Sequence, residues 1–238
     1  LVACHAALRG LPASDLSRYH GAFDWGRNIL YSPAPGSVLV TQHDDDFFPP
    51  MYIQRVLGGG NGVVLIHRPF LTRLWHHSQV ERLHPGFAVL DPGLIPWGST
   101  VEPEELINIF MRSHYGKRPV AFTYIASAEC AGGFNLTPRG CVFLVGRRDS
   151  RAPPPRARDF AASLKRFRLR SAYGPYLKGS RAAEVAGAYA ALWTQLAIRW
   201  WDRGEKDEAR ECLKRSFSFP YTRIKKEDLD RARSSMGL

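Results

Sequence analysis

Cysteine is scarce in this chain, and its four copies, Cys4, Cys130, Cys141 and Cys212, never fall into a C-x-x-C spacing. That excludes a zinc site of the usual type. Cys130 and Cys141 lie near enough in sequence to pair across a loop in an oxidising compartment, although free, mostly buried thiols are the expectation. An uninterrupted apolar window of about 18 residues is also missing, so no segment has the length of a membrane-spanning helix. The signatures G-x-S-x-G, H-E-x-x-H, G-x-G-x-x-G and the Walker sequence do not occur, and Ser127-Ala128-Glu129-Cys130 has no base beside it. No catalytic residue is therefore assigned.

What is present describes a folded domain. The chain has 238 residues, 45% of them hydrophobic and 12% aromatic, with no Ser, Gln or Glu tract of the kind that disorders a chain. The formal charge is +11, and it is unevenly placed: residues 1–146 hold 11 basic against 11 acidic residues, and residues 147–238 hold 22 against 11. A basic half suits an acidic partner, an anionic membrane surface or nucleic acid. Nucleic acid is disfavoured, because the basic residues sit on helical patterns among acidic neighbours with no aromatic platform or recognition motif. The chain opens on Leu1-Val2-Ala3-Cys4-His5-Ala6-Ala7-Leu8 without methionine, and is read as an excised piece of a longer protein.

Short β-branched or apolar runs bounded by turn residues predict strands at 37–41, 63–66, 87–90, 120–124 and 141–145. Helical patterns at 14–31, 49–57, 70–83 and 101–115 separate them, the last with Glu102, Glu104 and Glu105 in its first turn. Such alternation implies a Rossmann-like three-layer α/β sandwich with a mostly parallel sheet over residues 1–150. Continuous apolar strands agree, since strands covered on both faces show no alternation. The run 141–145 is a candidate antiparallel edge strand. Pro153-Pro154-Pro155 then marks a stiff boundary. Residues 151–238 carry helical spacing, and the pair of helices hinged at Arg203-Gly204-Glu205 resembles one tetratricopeptide-type unit that must pack on the α/β layer or on a partner.

The richest polar constellation is the segment Thr41-Gln42-His43-Asp44-Asp45-Asp46-Phe47-Phe48-Pro49-Pro50-Met51-Tyr52-Ile53-Gln54, where the first strand ends. Open parallel sheets bind ligands beyond the carboxyl ends of their strands. His43, Asp44, Asp45, Asp46, Tyr52 and Gln54 are therefore the candidate ligand-binding residues. Asp44 and Asp46 are candidates for holding a divalent cation, although nothing in the sequence requires one. An acidic cap on a helix opened by Pro49 is the competing reading. His76 and His77, with His67 and His84 near, form a second polar group, but adjacent helical positions point about 100° apart and a surface helix is expected there. Gly58-Gly59-Gly60-Asn61-Gly62 precedes a strand, the reverse of a phosphate loop, and reads as a turn.

Thr41, Asp44, Asp45, Asp46, Phe48, Pro49, Tyr52, Gln54 and Val56 follow a pattern that resembles the start of the soluble region in bacterial polytopic membrane proteins similar to protein O-mannosyltransferases. Looser matches follow at Val63 to Ile66 with Leu71 and Trp75, at Lys117 to Thr123, at Thr137 to Gly140, and in the helical ending. The resemblance implies an extramembrane accessory domain on the extracytoplasmic, periplasmic face of a membrane glycosyltransferase-like protein. It would support binding or orientation of a polypeptide acceptor and be non-catalytic alone. The partner would be the membrane-embedded part of the same polypeptide, with residues 1–8 the tail of its last membrane helix. His43, Asp45 and Met51 depart from the family's usual Gly, Asn and aromatic residue. Two alternatives stand beside this one: an interaction module with a basic helical surface, and a stand-alone metal-dependent sugar- or nucleotide-processing enzyme.

Overall fold

The computed structural model describes residues 20–60, 62–90, 103–123, 134–146, 153–170 and 180–219. Helix α1 (Gly21–Leu30) leads to β1 (Val38–Thr41), α2 (Asp44–Arg55) and β2 (Val64–His67). A 3-10 turn (Arg68–Phe70), α3 (Leu74–Leu83), α4 (Pro103–His114) and β3 (Val120–Phe122) follow. The hairpin of β4 (Asn135–Arg139) and β5 (Val142–Gly146) precedes α5 (Ala157–Leu164), α6 (Arg181–Asp202) and α7 (Lys206–Phe217). The protein is thus α/β, with a five-stranded mixed sheet and seven helices among the described residues, a layout compatible with a Rossmann-like arrangement. No described helix is long and apolar enough to cross a membrane.

The sheet order is β2-β1-β3-β5-β4. β1 lies parallel to both β2 and β3, whereas β5 runs antiparallel to β3 and β4. "Mostly parallel" is therefore corrected to mixed. Every residue of β1 and β2 is buried, as expected of strands covered on both faces. β5 is interior, not an edge: the edge belongs to β4, a strand the apolar pattern missed because Pro138 and Arg139 interrupt it. Proline suits that place, since an edge strand leaves half its N–H groups unused. Gly140 turns the hairpin at φ +58, and a Cβ there would lie 2.6 Å from the Ser32 hydroxyl oxygen, which accepts the Cys141 N–H at 2.8 Å.

The expected strand at 87–90 does not form. Phe87, Val89 and Leu90 are buried, which explains their apolar character. The backbone there is satisfied differently: the Val89 carbonyl meets His114 Nε2 at 3.0 Å, and Phe87 stacks on the His114 ring at 4.6 Å. β1 already has strands on both sides.

Beyond the triple proline, the helices join the same core. One cluster of buried residues runs from Trp25 through the strands to Trp193, Leu213 and Phe219. Asn28 of α1 donates its side-chain amide to the Arg168 carbonyl at 2.7 Å and to the Tyr189 hydroxyl at 2.9 Å, while its Oδ1 accepts the Arg168 N–H at 3.1 Å. Asp24, buried on the same helix, takes a two-pronged bond from Arg170 at 2.7 and 2.9 Å. α6 and α7 form a helical hairpin through Gly204 at φ +81, capped at its start by Ser180. Cys141 and Cys212 are free buried thiols, each pushed up to about 12 by burial. Cys4 and Cys130, and residues 14–19 of the first expected helix, lie outside the described residues.

Candidate functional site

Helix α2 begins at Asp44, five residues before the expected opening at Pro49, because the acidic run itself starts it. His43 is the N-cap in an extended conformation, and Asp44, Asp45 and Asp46 occupy the first turn, where exposed backbone N–H groups favour negative charge. Pro49 and Pro50 lie inside the helix, so the carbonyls of Asp45 and Asp46 lack the usual helical donors. The irregularity is matched by α1, whose Gly26 sits against this dipeptide: a Cβ on Gly26 would lie 2.7 Å from the Pro49 backbone.

The three aspartates separate at once. Asp46 is fully buried, and its carboxylate accepts the N–H groups of Gln42 at 3.1 Å and His43 at 2.7 Å, together with the Thr123 hydroxyl from the end of β3. Burial raises its pKa, and the bonds from Thr123 and from the Gln42 and His43 backbone oppose that rise. It is a brace that ties the β1–α2 turn to the neighbouring strand. Asp44 points outward, its side chain 79% exposed, with Oδ1 3.7 Å from His67 Nε2. Helical positions two apart face about 200° from each other, so Asp44 and Asp46 do not converge on one cation. Among the described residues, no three His, Cys, Asp or Glu side chains gather as a metal-binding group.

Tyr52 is 50% exposed and stands one turn beyond Phe48, which is 46% exposed, so the two rings share the outward face of α2. Gln54 turns sideways: its amide donates to the Val63 carbonyl at 2.7 Å and packs against Gly60, holding the glycine turn in place. That turn has Gly58, Gly60 and Gly62 at positive φ, as a turn reading requires. Of the six candidates, the structure gathers His43, Asp44 and Tyr52 on the outer side, with Asp45 partly buried beside them. It assigns Asp46 and Gln54 to supporting the loop.

Sequence reasoning grouped His67 and His76 as a second polar cluster but did not connect them with the acidic loop. His67 ends β2 directly across from Thr41, whose hydroxyl donates to the Ile66 carbonyl and meets His67 Nδ1, both at 3.1 Å. The His67 ring stacks on Phe47 at 4.4 Å. His76, expected on a surface helix, is buried, with Nε2 accepting the His67 N–H at 3.4 Å and Nδ1 without a partner. Burial lowers both imidazoles to about 4, so both are neutral at pH 7 and the Asp44–His67 contact is not an ion pair there. His77 is half-buried on the Leu71 carbonyl at 2.6 Å. The cavity between α2 and α3 that His76 lines measures about 20 Å³, room for one water molecule. The available signal was position: His67 directly follows the second predicted strand as the acidic run follows the first, and parallel pairing brings the two strand ends side by side.

No protein-family model matches this chain, and neither the curated proteins nor the solved structures contain a match.

Proposed function

We propose that this chain is the extramembrane accessory domain of a membrane glycosyltransferase-like protein of the protein O-mannosyltransferase type, non-catalytic alone, which helps to bind or orient a polypeptide acceptor. On this reading the α/β part is the Rossmann-like layer, α6 and α7 form a tetratricopeptide-like unit, and the domain lies on the extracytoplasmic face. The membrane-embedded part of the same polypeptide then carries sugar transfer. The observation that supports this most is the division of the acidic segment: Asp46 is spent on the fold, while Asp44, Phe48 and Tyr52 face outward from a helix. A strip of two rings and a carboxylate along the outer face of α2 suits an extended chain laid along it. The rings cover apolar side chains, and Asp44 accepts from backbone N–H or hydroxyl groups.

The test is titration of a Ser/Thr-rich peptide against the wild type and the variants Phe48→Ala, Tyr52→Ala and Asp44→Ala. Each substitution is at an exposed position and leaves stability within about 0.5 kcal/mol. Peptide affinity is expected to fall roughly tenfold in each ring variant, equivalent to about 1.4 kcal/mol. Affinity unchanged in all three, or no saturable binding by the wild type, overturns the acceptor role. A natural gene product that starts near Leu1 without membrane-spanning segments upstream overturns the membrane assignment.

A further inference from the structure

The acidic loop occupies the carboxyl end of the parallel strands; the opposite end carries Lys117 and Arg118. The Val38 N–H donates to the Pro119 carbonyl at 2.9 Å, so the turn between α4 and β3 lies where β1 begins. Beside that turn is an open cleft of about 610 Å³, lined by Tyr115, Gly116, Lys117, Arg118, Pro119, Val120 and, from β5, Val145. That volume is within the range of small-molecule sites, about 300–1,000 Å³. We propose that this cleft binds a small organophosphate, its phosphoryl group at Lys117 and Arg118 and its apolar part against Tyr115, Val120 and Val145.

Three features support the assignment. First, Gly116 takes φ +83, and the N–H groups of Lys117 and Arg118 both return to the His114 carbonyl, at 3.0 and 3.3 Å. The tight turn presents two successive cations, and with its backbone donors occupied, anion recognition falls to the side chains. Second, the Arg118 guanidinium lies 5.5 Å over the Phe87 ring, and that ring is itself stacked on buried His114. The stack positions the planar fork that suits phosphate, while Lys117 adds a mobile point charge. Third, no described carboxylate pairs with either side chain, whereas Arg170, Arg210 and Arg215 each have one. The positive field reaches inward: after burial, Arg118 contributes to lowering His84 and His114, and Lys117 to lowering His114. Two adjacent cations with no carboxylate partner among the described residues suit a dianion better than a single carboxylate, and the apolar wall selects an organic ester over the bare ion.

The experiment titrates the whole chain at low salt with phenyl phosphate, inorganic phosphate and p-cresol. Expected is saturable binding of phenyl phosphate at least tenfold tighter than either fragment, weakened tenfold or more in Lys117→Ala and in Arg118→Gln. Lys117 is exposed and makes no ion pair among the described residues, so its variant keeps the test decisive if loss of the Arg118–Phe87 stack impairs folding. A second arm sediments the protein with phosphatidic acid or phosphatidylcholine vesicles. Retention on phosphatidic acid alone, lost in Lys117→Ala, supports the site and identifies a lipid headgroup as the phosphate source. Phenyl phosphate binding without vesicle retention supports it with a soluble source. Failure of both arms, or wild-type binding by Lys117→Ala, overturns the site, and neither result bears on the peptide surface at Asp44 and Tyr52.

Discussion

Asp46 shows how much depends on a single buried carboxylate. Asp46→Ala would strand the Gln42 and His43 N–H groups and the Thr123 hydroxyl in the interior, at a cost of about 2–3 kcal/mol. Chemical denaturation would show this as a lower midpoint with unchanged slope. Because the folded state raises the Asp46 pKa above 3.8, it holds that proton more tightly than the unfolded chain. This contribution is fully present below 3.8 and is lost as pH rises through the folded value. His67 and His76 work in the opposite direction. Both are lowered from 6.5 to about 4, so their contribution is present above 6.5 and lost as pH falls toward 4. The melting temperature should therefore fall as pH is lowered from 7 to 4, and His76→Leu should flatten that fall while removing a buried donor without a partner. A profile just as steep in the variant would contradict the neutral buried imidazole. The sequence marked the acidic run as important, but Asp46's role is decided by Thr123, 77 residues away, and short-range patterns carry no such information.

At the scale of elements, the contact of α1 with α2 turns on Gly26. Alanine is the better helix former by about 1 kcal/mol, so propensity alone predicts that Gly26→Ala stabilises. The structure predicts the reverse, because the new Cβ would meet backbone atoms of Pro49 and Pro50 at 2.7 and 2.8 Å, and these cannot rotate away. Overpacking of this kind costs typically about 1–3 kcal/mol, and thermal denaturation should show a net loss. A gain would mean that the helices separate freely. Strands β1, β2, β3 and β5 were legible because they are short apolar runs between turns. The run at 87–90 has the same composition but is buried beneath His114, and composition cannot separate burial from pairing. β4 was hidden for the converse reason, since an edge strand tolerates the proline and arginine that a buried strand excludes.

For the whole molecule, the question is whether residues 151–238 unfold separately. The triple proline argues for a boundary. Yet α1 is tied to the segment after α5 by Asn28 and by the Asp24–Arg170 pair, and a single apolar cluster continues from the sheet into α6 and α7. One cooperative thermal transition is therefore expected, with calorimetric and van't Hoff enthalpies equal. Asp24→Ala should lower its midpoint without splitting it. Two resolved transitions would show that the helical part is an independent unit.

The sequence by itself determined the α/β class, most of the strands, the two helices of the C-terminal hairpin and the acidic end of β1, because each is written in local periodicity, turn residues and composition. Tertiary structure alone decided that the sheet is mixed, that Asp46 and Gln54 face the fold while Asp44 and Tyr52 face outward, and that two histidines are buried neutral behind them. These outcomes depend on partners such as Thr123, Gly26 and His114, brought near by the packing of distant segments. The direction in which a side chain points, and hence whether a carboxylate braces or binds, is fixed by those partners.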